Sequence, residues 1–262
     1  GHYRLLRLLG QGSFANVYLS EHIYEHRQVA VKVFRTTLTF GQMKDFINEA
    51  RVMRLNHPHI VKLLDFGLGD DNTPYLVMEY AHNGTLRERH PRGSRLSVTT
   101  VVSYVKQIAA ALQYGHDRRL IHRDVKPENM LVGEKGEIVL SDFGLAVVAH
   151  NPGSQRFEEA LGTILYMAPE HWLGVPVPAS DQYALGTLAY EWLSGETPFQ
   201  GNSMQVRYQQ SYVAPPSLRA KVPALPPLVE RVIMQALDKD PLRRFASVQL
   251  FATMLEQAAQ FA

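Results

Sequence analysis

Ile121-His122-Arg123-Asp124-Val125-Lys126-Pro127-Glu128-Asn129-Met130-Leu131-Val132 crowds polar and charged side chains between the end of an amphipathic helix and an apolar strand. A loop that only turns the chain rarely needs that inventory. Further on, after the strand Ile138-Val139-Leu140, Asp142-Phe143-Gly144 sets a second carboxylate beside a glycine. Two acids, an amide and a lysine are the parts that phosphoryl transfer requires: an acceptor for a hydroxyl proton, oxygen ligands for a hard cation, and a countercharge for phosphate.

Upstream, Gly10-Gln11-Gly12-Ser13-Phe14-Ala15-Asn16-Val17 lies between two strand-like stretches. Glycines let backbone N–H groups approach phosphate oxygens. The same pattern suits a plain hairpin, and a dinucleotide fingerprint would need a helix next rather than a strand. Val29-Ala30-Val31-Lys32 puts a lysine inside an apolar strand, where an unpaired ammonium is costly to bury. Glu49, on the next predicted helix, can pair with it; the alternative is a lysine snorkelling to water.

The chain divides into two differently built halves. Short strands are predicted at Tyr3–Leu9, Val17–Glu21, Gln28–Val33, Val61–Phe66 and Tyr75–Glu79, interrupted by a helix over about 40–55 with Phe46, Ala50 and Met53 on its buried stripe. After residue 96 the pattern is helical, with one apolar face at Val101, Val105, Ile108, Ala109 and Leu112 and another at Leu185, Leu188, Ala189 and Trp192. Ala81-His82-Asn83-Gly84 reads as the hinge between them.

Composition narrows the field. With 262 residues, 27 Lys+Arg against 25 Asp+Glu and a net charge of +2, the chain lacks the basic balance of a nucleic-acid binder. Cysteine is absent, so neither disulfides nor thiolate metal sites hold the fold. No apolar run reaches the length of about 18 residues that a membrane-spanning helix needs, and no membrane contact is expected from this segment. Starting at Gly1, the chain reads as an excerpt whose flanking regions could anchor or sense, with a cytoplasmic location expected. The basic stretch from Arg87 to Arg95 contains Glu88, Pro91 and Gly93 and reads as a solvated loop.

The ordered succession of Gly10, Lys32, Glu49, the HRDVKPEN run, Asp142-Phe143-Gly144 and Ala168-Pro169-Glu170 resembles the protein kinase family along nearly the whole chain. That resemblance implies an α+β, bilobal fold spanning 1–262, with an N-lobe to about residue 80, a hinge at about 79–84 and a helical C-lobe. It implies Asp124 as the base, Lys126 on the γ-phosphate, Asn129 and Asp142 as ligands for Mg2+ (Mn2+ being an acceptable substitute), and Lys32 on the α- and β-phosphates of ATP, oriented by Glu49. Leu9, Gly10, Gly12, Val17, Ala30, Leu131 and the backbone of Glu79 and Ala81 would cradle the nucleotide, with Met78 controlling access behind it. Glu170 and Arg244 resemble the family's buried ion pair, Asp181 its tether for the catalytic-loop backbone, and Met53, Leu63, His122 and Phe143 its stacked spine.

Lys126-Pro127 and Gly162-Thr163 are similar to the serine/threonine branch, and the run Ser180–Gly186 to bacterial Hanks-type kinases. Protein substrates are implied, with autophosphorylation and a homodimer allowed. Arg123 before Asp124 resembles kinases switched by phosphorylation; Glu159, at a position where relatives often carry the phosphorylated threonine, is either a solvated loop glutamate or a partner of Arg123 that partly imitates a phosphate, and Thr163 is expected to position the catalytic loop. Two departures stand out. Ala15 occupies the place of the third loop glycine and is expected to leave its methyl near the phosphates, and Tyr183 replaces the usual Trp, packing similarly if its hydroxyl finds a partner. A pseudokinase would lack the base, a metal ligand or the lysine; a small-molecule kinase would lack the Ala168-Pro169-Glu170 segment.

Overall fold

The computed structural model describes residues 2–12, 15–39, 41–42, 46, 55–69, 71–143 and 164–260. Five strands form one antiparallel sheet in the order β1-β2-β3-β5-β4: β1 (Tyr3–Gln11), β2 (Ala15–His22), β3 (Arg27–Phe34), β4 (Leu63–Leu68) and β5 (Pro74–Glu79). Each predicted strand is present, shifted at its ends by a residue or two. In β3 the β-branched Val29 and Val31 pack with Val77 of β5, while the neighbouring Phe34 joins Ala15, Leu38, Phe46, Leu63 and Leu76. Ala15 is thus a core residue, and burial of its methyl among Phe34 and Phe46 corrects the expectation that it would lie at the phosphates. Most of the predicted 40–55 helix lies outside the described residues; Phe46 is buried as its stripe requires.

Beyond the sheet the chain is helical: α1 (Leu86–Arg89), α2 (Val98–His116), α3 (Pro169–Trp172), α4 (Pro178–Ser194), α5 (Ser203–Tyr212), α6 (Leu218–Lys221), α7 (Pro227–Ala236) and α8 (Val248–Gln260). Between α2 and α3, a 3₁₀ turn (Pro127–Asn129) leads into a small antiparallel ribbon of β6 (Met130–Val132) and β7 (Ile138–Leu140). The expected apolar face of α2 is buried throughout and packs on α4 and α8. For α4 the expectation of one buried face is too narrow. Every residue from Ser180 to Ser194 is buried, because helices surround it, and its polar residues are hydrogen-bonded inward instead of to water. The bilobal α+β fold is therefore as expected.

Between the lobes the chain passes through Ala81–Gly84. Gly84 adopts φ +70°, a left-handed conformation that glycine takes without steric penalty. Its carbonyl accepts from Val132 N–H at 2.9 Å, and Asn83 Nδ2 donates to Gly133 O at 2.8 Å, so the hinge is stitched to the β6–β7 ribbon. On the other side of the cleft, Val61 N–H donates to Leu140 O and Leu140 N–H to His59 O, both at 2.9 Å.

Gly115, in the last turn of α2, lets the Phe143 ring lie against the helix backbone; a Cβ there would run into that ring. Alanine would add about 1 kcal/mol of helix propensity, but overpacking costs about 1 to 3 kcal/mol. Gly115→Ala should therefore lower the thermal midpoint despite the better helix former. Adding Phe143→Leu should return part of the loss, a non-additivity that thermal unfolding of the single and double variants would measure.

Candidate active site

The segment after α2 bends sharply, and two non-glycine residues near the cleft hold left-handed backbone: Arg123 at φ +69° and Asp142 at φ +65°. Such conformations are strained by about 1 to 3 kcal/mol each and persist only where the surroundings over-determine them. At Arg123 the surroundings are the carboxylate of Asp181, from α4. Its Oδ2 accepts from His122 N–H at 2.9 Å and from His116 Nε2 at 2.7 Å, and its Oδ1 accepts from Arg123 N–H at 2.9 Å. Burial alone would push the Asp181 carboxyl up, but the bond and charge of His116 and the loop amide hold it below the usual carboxylate range.

His122, fully buried, joins the two motif-bearing segments. Its Nδ1 accepts from Asp124 N–H at 3.2 Å while Nε2 donates to Ser141 O at 2.8 Å, which defines the ring's tautomer by its partners. Ser141 N–H in turn donates to Asn129 O at 2.8 Å. The Phe143 ring meets the His122 ring edge-on at 4.9 Å between centroids. One imidazole thus spaces Asp124 from Asp142.

Four groups distant in the chain converge here. Lys32 Nζ from β3 lies 2.8 Å from Asp142 Oδ1. Lys126 Nζ lies 2.8 Å from Asp124 Oδ2, and Asn129 Nδ2 donates to Asp124 O at 2.8 Å and to Oδ2 at 2.9 Å. Burial would raise the Asp124 carboxyl; the Lys126 ammonium, with His122 and Asn129, outweighs it and holds the group below its ordinary value. Asp124 Oδ1 is buried and has no hydrogen-bond partner among the described residues. An oriented, ionised carboxylate with one oxygen unspent is equipped to accept a proton.

The Asn129 amide spends its nitrogen on Asp124, which leaves its carbonyl oxygen, with the Asp142 carboxylate, as hard oxygen donors of the type a small divalent cation takes. Among the described residues no group of three or more His, Asp or Glu is placed to hold a metal ion.

Above the cleft, Gly12 N–H donates to Ala15 O at 2.9 Å, closing the hairpin, and a side chain at Gly10 would meet nothing among the described residues. The fold itself does not require glycine at Gly10, so the space is open to a ligand. Leu9 and Val17 are half-buried, Ala30 is buried opposite Met78 in the β3–β5 register, and Leu131 is bridged to Thr85 beside the hinge. Glu79 N–H is taken by Lys62 O at 3.1 Å, whereas the Ala81 backbone makes no hydrogen bond among the described residues. Behind Met78, a small cavity is lined by Leu63, Leu76, Leu140, Asp142 and Phe143.

On the far side, Glu170 and Arg244 pair two-pronged, Nη1 to Oε1 at 2.7 Å and Nη2 to Oε2 at 2.9 Å, with Ser180 Oγ donating to Oε1 at 2.7 Å. Arg244 also lies over the Tyr183 ring at 5.0 Å. The Tyr183 hydroxyl is buried without a partner among the described residues, so the condition set for its replacement of Trp is not met by a hydrogen bond. Glu49, Met53, Gly144, Glu159 and Thr163 lie outside the described residues. Sequence reasoning missed His116 and Arg87. His116 was legible only as a histidine at a helix end, six positions before the motif histidine, with no metal-like spacing.

Comparison places this fold and this convergence: a model of the protein kinase domain matches residues 3–255, and the chain belongs to that family. It is 34% identical over 256 residues to serine/threonine-protein kinase PrkC of Bacillus subtilis, covering 95% of this chain and 39% of that protein. Serine/threonine-protein kinase PknA of Mycobacterium tuberculosis is 37% identical over 263 residues, 96% of this chain and 60% of that one. Pkn1 of Myxococcus xanthus is 37% identical over 269 residues, 98% and 38% respectively. The chain therefore spans from 38% to 60% of the length of these bacterial relatives.

Breaking one partner of a buried pair leaves the other charge stranded, at about 3 to 5 kcal/mol; Glu170→Gln should lower stability at neutral pH accordingly. Burial would raise the Glu170 carboxyl, but the Arg244 bonds outweigh it and keep it depressed in the folded state. Its stabilisation is therefore present above the unfolded value of about 4.3 and is lost as pH falls through the folded value. Urea midpoints between about pH 5 and 3 should drop more steeply for wild type than for Glu170→Gln; parallel curves would show the pair contributes nothing to the acid limb.

Proposed function

We propose that residues 1–262 form one catalytic domain, hinged at about 79–84, that transfers the γ-phosphoryl group of ATP, with Mg2+, to serine or threonine hydroxyls of protein substrates, its own chain in a homodimer included. The observation carrying this reading is the unspent Oδ1 of Asp124, buried beside Lys126 and across the cleft from the Lys32–Asp142 pair. An incoming hydroxyl hydrogen-bonds to that oxygen and gives up its proton there as its own oxygen bonds to the γ-phosphorus, the bond from that phosphorus to the β-phosphate oxygen breaks, and ADP leaves. Because charge in such a transition state spreads over the phosphoryl oxygens and little covalent work falls to the protein, a base of low basicity suffices if it orients the hydroxyl.

Lys126 neutralises charge on the transferred group, and Lys32 the α- and β-phosphates. Asn129 and Asp142 would hold Mg2+, which draws charge from the phosphate oxygens when bound. The Ala81 backbone, without a partner among the described residues, supplies the adenine edge with hydrogen bonds, and Val17, Ala30 and Leu131 close on its faces. Serine/threonine preference is supported by the Lys126-Pro127 pair and by the names of the relatives, each a serine/threonine-protein kinase. The presence of Lys32, Asp124, Asn129 and Asp142 together stands against a pseudokinase.

Asp124→Asn should reduce transfer to a generic protein substrate by about 10²- to 10⁴-fold, with nucleotide binding retained, whereas Asp142→Ala should lose both transfer and the metal dependence of nucleotide binding. Incubation with labelled ATP, followed by phosphosite mapping, reads transfer and residue choice together. Equal incorporation by wild type and Asp124→Asn would end this assignment.

A further inference from the structure

Gln210 is an amide at a position where a helix ordinarily meets the core with an apolar side chain. In α5 only Val206 and Gln210, one turn apart, are buried, and Gln210 is 0% exposed. A buried amide is costly unless it is hydrogen-bonded, and here both ends are. Nε2 donates to Ile164 O at 2.8 Å, and Oε1 accepts from Trp172 Nε1 at 2.7 Å. A carbonyl only accepts and an indole N–H only donates, so the partners define which way the amide faces. One side chain therefore ties α5 both to α3 and to the segment that leads into it.

That segment walls the cavity in which Asp124 lies. Ile164, Tyr166 and Ala168 are buried, while Leu165 and Met167, between them, are half-buried. Met167 and Ala168 line the same cavity as Asp124. At its far end the wall is held by the Glu170–Arg244 pair, and in its middle the Tyr166 hydroxyl donates to Glu191 Oε2 at 2.6 Å. At its near end Ile164 O accepts Met167 N–H at 3.2 Å, a bond within the wall, and Gln210 Nε2, a bond that fixes the turn to a helix.

We propose that Gln210 is a positioning residue for the protein substrate: through Ile164 O it sets how far Met167 stands from Asp124, and thereby how large a side chain is accepted beside the phosphoacceptor. The inference rests on the kinase reading above. A polypeptide that brings a hydroxyl to Asp124 Oδ1 passes this wall. Without the Nε2 bond the Ile164–Met167 turn keeps only its internal hydrogen bond, so the wall can shift, whereas Asp124 stays held by Lys126 and Asn129. The loss then falls on substrate binding rather than on the transfer step.

The test uses peptides with a central Ser, in which Leu or Gly is placed in turn at each flanking position, and reads kcat and KM for each. Gln210→Glu keeps an acceptor for Trp172 but sets a carboxylate oxygen against Ile164 O, and Gln210→Met fills similar space with neither bond. In both variants KM should rise about tenfold for the peptide with Leu at one position, the size of one lost hydrogen bond, with kcat within about twofold of wild type. Gly at that position should bring the rise to within about twofold, a coupling between enzyme and peptide substitutions that a uniform structural defect does not produce.

Wild-type KM values in Gln210→Met would show that Gln210 only fills space, and an equal rise on Leu and Gly peptides at every position would make it a strut; either overturns the proposal, as does a fall in kcat with KM unmoved. If circular dichroism shows Gln210→Glu unfolded, Gln210→Met alone decides, and if neither variant folds, Gln210 is a core residue and the proposal fails. Failure of wild type to phosphorylate any peptide or generic protein would instead remove the kinase reading, and this inference with it.

Discussion

The carboxylate of Asp181 is 1% exposed, deep in a helix that is itself surrounded, and a charge so placed is tolerable only if each oxygen finds a donor. Its donors are two consecutive loop amides and the His116 imidazole, so satisfying Asp181 and bending the chain at Arg123 are one event. From that bend follow the aim of His122, its bond to Ser141 O and the spacing between Asp124 and Asp142. The fold's largest core thus holds the cleft through a buried polar anchor. The hydrophobic packing of α4 against α2, α7 and α8 is what keeps the anchor still.

Left-handed backbone at Arg123 and Asp142 belongs to the same logic. Neither residue is glycine, so each conformation opposes local preference, and an isolated peptide of this sequence would relax out of it. Tertiary bonds hold both: Asp181 behind the first, and the Lys32 ammonium in front of the second. Strain at the cleft is thereby tied to charges that a phosphate-bearing ligand also addresses, which makes the loop geometry sensitive to what the cleft holds.

What could be read from the sequence follows distance along the chain. The strands, the faces of α2 and the motif-bearing turns rest on periodicity and on short polar runs, both local signals, and they appear where expected. The pair Glu170 and Arg244 was legible only by likeness to a family, since 74 positions separate the partners. Arg87 was misjudged because its neighbours Glu88, Pro91 and Gly93 do read as solvated. Its partners Glu128 and Glu191 lie 41 and 104 positions away, and composition carries no trace of such contacts. Ala15 erred similarly: its methyl is placed by strand register, which a one-residue slip would reverse. The all-round burial of α4 is written in neighbouring helices rather than in its own period.

Charge balance in the cleft gives the arrangement its direction. Lys32 answers Asp142 and Lys126 contacts Asp124, so the two ammonium groups and two carboxylates sum to zero. A neutral constellation has no net attraction for a triphosphate, whose anionic oxygens would meet the same carboxylates that the lysines now shield. Binding therefore calls for positive charge beyond these two ammonium groups, and the oxygen donors Asn129 and Asp142 are suited to bring it as a divalent cation. Such a cation would relieve Asp142 of its need for Lys32, freeing the ammonium to turn toward phosphate, so that nucleotide and metal are favoured together and neither strongly alone.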